Sequence, residues 1–157
     1  MKELINQNIG DFVNMDPEQA VKICDQWFDK DYMRLADELK DHKELAFSFL
    51  NTVLQQHESE IMKEYEASVM ANSTEGISPK NKDLLLRLID ILCDRKLKQS
   101  SISVVDYVSK SYFPIDDCLK ICESKKSIEA CAVLYRRKGN YKKSLKLYID
   151  TIVNLCV

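Results

Sequence analysis

PIDDCLKICESKKSIEACAVLYRRKGNYKKSLKLYIDTIVNLCV, residues 114–157, is the stretch that decides the fold. Pro114 opens it with a fixed φ suited to a helix start, and Asp116 and Asp117 follow in the first turn, where the helix dipole favours negative charge. Ile115, Cys118, Leu119 and Cys122 then recur at helical spacing, and Lys125 and Lys126 stand at the opposite, electronegative end. A second helix is expected from about Ser127 through Ala130, Cys131, Ala132, Val133, Leu134 and Tyr135. It stops at Gly139, which tolerates the left-handed conformation that ends helices. A third carries Tyr141, Ser144, Leu145, Tyr148, Ile149, Ile152, Val153 and Cys156 with a 3.6-residue period. Short helices joined by tight turns bury little alone and must pack on their neighbours in sequence, which is the logic of stacked helical hairpins.

The rest of the chain obeys the same rules. Asp16-Pro17-Glu18 is a cap-then-proline start, followed by a stripe of Ala20, Ile23, Cys24 and Trp27. Asp29-Lys30-Asp31 reads as a turn into a short helix with Tyr32, Leu35, Ala36 and Leu39. The pattern predicts a third helix from near His42 through Leu54 and a separate fourth from about Glu58 to Val69. Residues 70–79, polar and containing Gly76 and Pro79, are expected to form a flexible loop. Ser78-Pro79 opens a helix with Leu84, Leu85, Leu86, Leu88, Ile89, Ile91 and Leu92, apolar nearly all round, with Arg95, Lys96 and Lys98 at its end. Gln99-Ser100-Ser101 then leads to a short segment with Val104, Val105 and Val108. It is read as helix because no partner strand is apparent.

The expected fold is therefore all-α: an α-solenoid of stacked helical hairpins, one repeat domain over residues 1–157. The last helix is still apolar at Val157, which leads to the expectation of a fragment of a longer array whose exposed ends could self-associate. With 3 Gly and 3 Pro in 157 residues, the composition disfavours turn-rich β architectures. No stretch approaches the ~20 apolar residues of a membrane span, and the N-terminus lacks a secretory core, so a cytoplasmic location is expected. The 6 cysteines are read as reduced core residues. Cys118, Cys122 and Cys131 could bring three thiols together, but no fourth zinc ligand is apparent and the same positions serve an apolar stripe. No metal or other cofactor is expected.

The formal charge of −2 conceals an asymmetry: residues 1–75 hold 16 acidic and 7 basic groups, net −9, and residues 76–157 hold 9 and 16, net +7. Opposite fields of this kind bear on head-to-tail packing and on choice of partner. Arg136, Arg137, Lys138, Lys142, Lys143 and Lys146 surround the Gly139 turn without an intervening acid and form the candidate partner-binding patch. Without interleaved aromatics or a nucleic-acid motif, a solvated face or a protein contact is favoured over nucleic acid. His42 and His57, the only imidazoles, sit in polar helical contexts and read as solvent-exposed. With no glycine-rich phosphate loop, nucleophile elbow or metalloprotease motif, no enzymatic activity is expected.

The run from Phe113 to Glu123, followed by Ser127 to Tyr148 with its Gly139-Asn140 turn and Leu145-Lys-Leu147 core, resembles the helical repeat of clathrin heavy chain and of the vacuolar-sorting subunits of the HOPS and CORVET endosomal tethering complexes. The stretch from Asp16 to Leu54 is similar to the segment preceding that repeat. The resemblance implies a scaffold segment of an endolysosomal tethering or coat complex, its partners the other subunits, with membrane contact at most indirect or peripheral. The chain departs from whole tethering subunits in having no propeller-like β region and no zinc-ligand pattern of a RING. The pattern Gly-x-Tyr-x-x-Ser-Leu over 139–145 is also that of tetratricopeptide repeats, whose resemblance implies a peptide-binding adaptor instead. A small thiol- or metal-dependent enzyme is the third alternative.

Overall fold

The computed structural model describes residues 2–73, 76–94 and 103–156. Among them every regular element is an α-helix. They are α1 (Lys2–Met15), α2 (Pro17–Trp27), α3 (Tyr32–Glu38), α4 (Lys43–Met70), α5 (Pro79–Leu92), α6 (Val104–Val108), α7 (Ile115–Ser124), α8 (Ile128–Arg137) and α9 (Tyr141–Leu155). The all-α expectation is met. Packing divides the chain into two compact units, Met1–Leu84 and Leu85–Val157, with the division inside α5.

In the first unit α1, α2, α3 and α4 each touch the other three. α1 is an addition to the sequence reading: Ile5, Ile9 and Val13, four residues apart, face the core, although no capping signal marks the start. α2 begins as expected, with Asp16 Oδ1 accepting from the amides of Glu18 and Gln19 at 3.1 and 3.2 Å. Its buried face is rotated from the one anticipated. Ala20, Val21, Cys24 and Phe28 are in the core, while Trp27 is 36 % exposed. Asp31 caps α3 by accepting from the Arg34 amide, and Tyr32, Leu35, Ala36 and Leu39 are buried as expected. Asp29 and Lys30, both at positive φ, make the turn between α2 and α3.

The two helices expected between His42 and Val69 are one. α4 runs 28 residues without a break. The polar run Gln55-Gln56-His57-Glu58 interrupts the apolar stripe but contains no Gly or Pro, so the hydrogen-bond ladder continues through it. The described part of the following loop is tied by hydrogen bonds: Ser68 Oγ accepts from the Gly76 amide at 3.1 Å, and Glu64 accepts from the Ser78 amide at 3.2 Å and from Asn81 Nδ2 at 3.0 Å.

In the second unit α8 is central and touches α6, α7 and α9. Its run Ala130, Cys131, Ala132, Val133, Leu134 is buried without interruption. The small alanines let neighbouring backbones approach closely. Leu85, Leu88 and Ile89 of α5 are fully enclosed. The valine-rich segment is helical, as expected, with Ser103 Oγ accepting from the Val105 amide at 3.2 Å. Arg95, Lys96, Lys98 and Gln99-Ser100-Ser101 lie outside the described residues. Pro114 stands one position before the first helical residue, its carbonyl accepting the Cys118 amide at 3.1 Å.

α7 and α8 end in the same way. The Ser127 amide bonds the Cys122 carbonyl at 2.9 Å and the Lys126 amide the Glu123 carbonyl at 3.1 Å; thirteen positions later Asn140 bonds Tyr135 at 2.9 Å and Gly139 bonds Arg136 at 3.0 Å. Both are Schellman turns, and both need a left-handed residue: Lys126 at φ 57° in the first and Gly139 at φ 87° in the second. Repeating one turn between successive helices is how a chain builds consecutive hairpins.

Candidate functional site

The six basic residues around Gly139 are brought to one region but do not act alike. Arg137 is not a free patch residue. Its Nη1 donates to the Val108 carbonyl at 2.9 Å, and its Nη2 donates to the carbonyls of Ser111 at 2.8 Å and Phe113 at 3.0 Å. The guanidinium therefore satisfies the orphan carbonyls at the end of α6 and ties that turn to α8. Lys138 Nζ donates to Asp116 at 2.7 Å, which holds the Asp116 carboxyl below its usual range and the Lys138 ammonium above its own. Lys143 Nζ lies 4.3 Å from the centroid of the Tyr135 ring, and its interaction with that side chain raises its pKa. Tyr135 in turn donates its hydroxyl proton to Glu123. Arg136, Lys142 and Lys146 remain, all exposed.

Beside them runs a second feature. α9 packs on α8 through Ser144, whose hydroxyl donates to the Ala132 carbonyl at 2.7 Å, and through half-buried Leu147, Tyr148 and Thr151. Its other apolar residues, expected as core, face outward: Tyr141, Leu145, Ile149 and Ile152 are between 50 and 69 % exposed. The helix is thus apolar on two faces, and only one is packed. Lys142, Lys146 and Asp150, one residue after Tyr141, Leu145 and Ile149, border the open face.

The first unit holds a polar cleft of about 890 Å³ between the turn into α3, the middle of α4 and the start of α5. Tyr32 donates its hydroxyl proton to Asp25, and the same oxygen lies 3.0 Å from His57 Nε2. Because the hydroxyl proton is already given to Asp25, Nε2 must be the donor in that contact. His57 Nδ1 is 3.4 Å from Glu60. His57, expected in solvent, has a side chain only 20 % exposed and is held by this network; His42 is exposed as expected. Burial and the Asp25 carboxylate push the Tyr32 hydroxyl well above its ordinary pKa, so it stays a neutral donor. Lys30, Arg34, Lys80 and Asn81 also line the cleft, together with Asp29, Asp31, Glu64 and Asp83. The network joins residues 25, 32, 57 and 60 across three helices, and no motif in the sequence marks it.

Cys24, Cys93, Cys118, Cys122 and Cys131 are buried free thiols and Cys156 is exposed. Cys122 Sγ meets Cys93 Sγ at 3.8 Å, a neighbour the sequence did not suggest, and that contact together with burial raises its pKa. Among the described residues no group of three or more His, Cys, Asp or Glu is placed to hold a metal ion. Likewise no helix is long and apolar enough to cross a membrane.

No family model, curated protein or solved structure matches this chain.

Proposed function

We propose that the chain is a non-catalytic scaffold and protein-interaction segment of an endolysosomal vesicle tethering or coat complex, working in the cytoplasm at the periphery of endosomal or vacuolar membranes and engaging other subunits through an α-solenoid surface. The observation that carries the interaction reading is the open apolar face of α9 with Lys142 and Lys146 along its border. A four-residue apolar row costs free energy in water and gains it when covered, and the adjacent cations select partners with acidic flanks. The tethering assignment rests on the resemblance of Phe113–Tyr148, supported by the matching turns at Lys126 and Gly139. Affinity purification with the wild-type chain and with Leu145→Glu/Ile149→Glu, both verified as helical by circular dichroism, tests it. Tethering or coat subunits recovered by the wild type and lost with the variant are expected; recovery that is equal for both would refute the use of α9.

A second reading is a tetratricopeptide-like peptide-binding adaptor with the cleft as its concave surface, where Lys30, Arg34, Lys80 and Asn81 stand among Asp29, Asp31, Glu60, Glu64 and Asp83. The acids outnumber the cations, so this lining suits a basic peptide segment. Titration of basic peptides against wild type and Glu60→Gln/Asp83→Asn distinguishes it: saturable binding lost in the variant would move the function from the α9 face to the cleft.

A further inference from the structure

The open face of α9 has a counterpart in the other unit. α1 turns Ile5, Ile9 and Val13 inward and leaves Leu4, Phe12 and Met15 at 62, 38 and 84 % exposure. With Asn8 these three lie along one side of the helix, and the exposed Asp11 borders them. On α9 the corresponding row is Tyr141, Leu145, Ile149 and Ile152, bordered by Lys142 and Lys146 and, one turn on, by Asp150. From Leu4 to Met15 and from Tyr141 to Ile152 is the same distance, eleven residues or about 16 Å at ~1.5 Å per residue. The two rows are therefore matched in length and largely apolar, the α1 row edged by an acid and the first two turns of the α9 row by bases.

We infer that α9 of one molecule docks on α1 of a second copy, a head-to-tail contact that repeats from copy to copy. Charge decides between this arrangement and an α9-to-α9 dimer. Met1–Leu84 holds 17 acidic and 9 basic residues, net −8, whereas Leu85–Val157 holds 8 and 14, net +6. Setting α9 on the first unit of another copy brings unlike fields together, whereas setting it on a second α9 opposes like fields across the same apolar seam. A contact between two different patches leaves each partner with one patch unused, so association is open-ended unless the ring closes. The inference rests on the reading of α9 as an interaction face and goes beyond it by naming the occupant.

Sedimentation velocity on the full 157-residue chain tests it with two variants, an α9 variant Leu145→Glu/Ile149→Glu and an α1 variant Leu4→Lys/Phe12→Lys, each checked for native helicity. The wild type is expected to grow beyond dimer as concentration rises, and each variant alone to stay monomeric. An equimolar mixture of the two is expected to stop at a one-to-one pair, because each supplies the face the other lacks. A monomeric wild type at high micromolar concentration would overturn the inference, as would a wild type that stops at dimer with the α1 variant still dimeric. A mixture that remains monomeric would do the same. If the wild type is monomeric yet the α9 variant loses the subunits captured by affinity purification, the scaffold function stands and only the second copy is excluded.

Discussion

Replacing Arg137 with alanine should destabilise the second unit far more than replacing any other cation of the basic turn. Its guanidinium makes three charge-assisted hydrogen bonds, to Val108, Ser111 and Phe113, two of them part-buried. A hydrogen bond to a charged group contributes about 1.5–3 kcal/mol when buried. Discounting the exposed Ser111 contact and the half-exposed side chain leaves about 2–4 kcal/mol for Arg137→Ala. Arg137→Lys keeps the charge but not the planar fork, so it should recover less than half of that. Urea unfolding followed by circular dichroism gives both values, with Lys142→Ala as the exposed comparison, expected within about 0.5 kcal/mol of wild type. A loss below about 1 kcal/mol for Arg137→Ala would refute the clamp and return Arg137 to the partner-binding patch.

Three further outcomes follow from the packing. Gly139→Ala should cost about 1 kcal/mol and Lys126→Gly should gain a few tenths or more, because both positions are left-handed and only one carries the residue that suits it; thermal melts of the two variants should move in opposite directions. Ser144→Ala should cost about 1 kcal/mol through loss of the bond to the Ala132 carbonyl, whereas Ala132→Leu should cost more by forcing α8 from its neighbours, both read by urea midpoint. Native-state thiol labelling at neutral pH should modify Cys156 quickly and the five buried thiols only after opening. Burial pushes Cys131 up to about 11 and Cys24 up to about 12 from an ordinary thiol value of 9.0. Their contribution to stability is therefore complete below pH 9 and is lost as pH rises through those values, so unfolding free energy should fall between pH 9 and 12. Serine at both positions should flatten that decline.

Local rules made much of this structure legible. Asp16-Pro17, Gly139 and the stripes of α3 and α7 are short-range features, decided by a few neighbouring residues, and they are where the sequence places them. What it did not disclose depends on partners distant in the chain. No capping signal in the sequence announces α1, and its three core positions become visible only when α2, α3 and α4 surround them. The periodicity of α9 is genuine, yet a repeat of 3.6 cannot say which of two apolar faces meets α8; that was settled by the small Ser144 against Ala132. Arg137 looks identical to Arg136 in sequence, and only the carbonyls of the α6 turn, more than twenty residues earlier, separate a clamp from a surface cation. His57 likewise reads as solvated until Tyr32 is brought to it from 25 positions away.

The unbroken course of α4 has a consequence for motion. Its first part is pinned by Ala46, Phe49, Leu50, Val53, Leu54 and Ile61, whereas Val69 and Met70 at its far end are 55 and 87 % exposed. A single ladder of amide bonds thus passes from a region that opens only with the whole unit to one held by its own weak cooperativity, by the two Glu64 bonds and by the bond of Ser68 to Gly76. Deuterium should enter this helix as a gradient, first at the Met70 end and last near Phe49, with a step at Glu64. The rod would record, residue by residue, how local fraying passes into global unfolding.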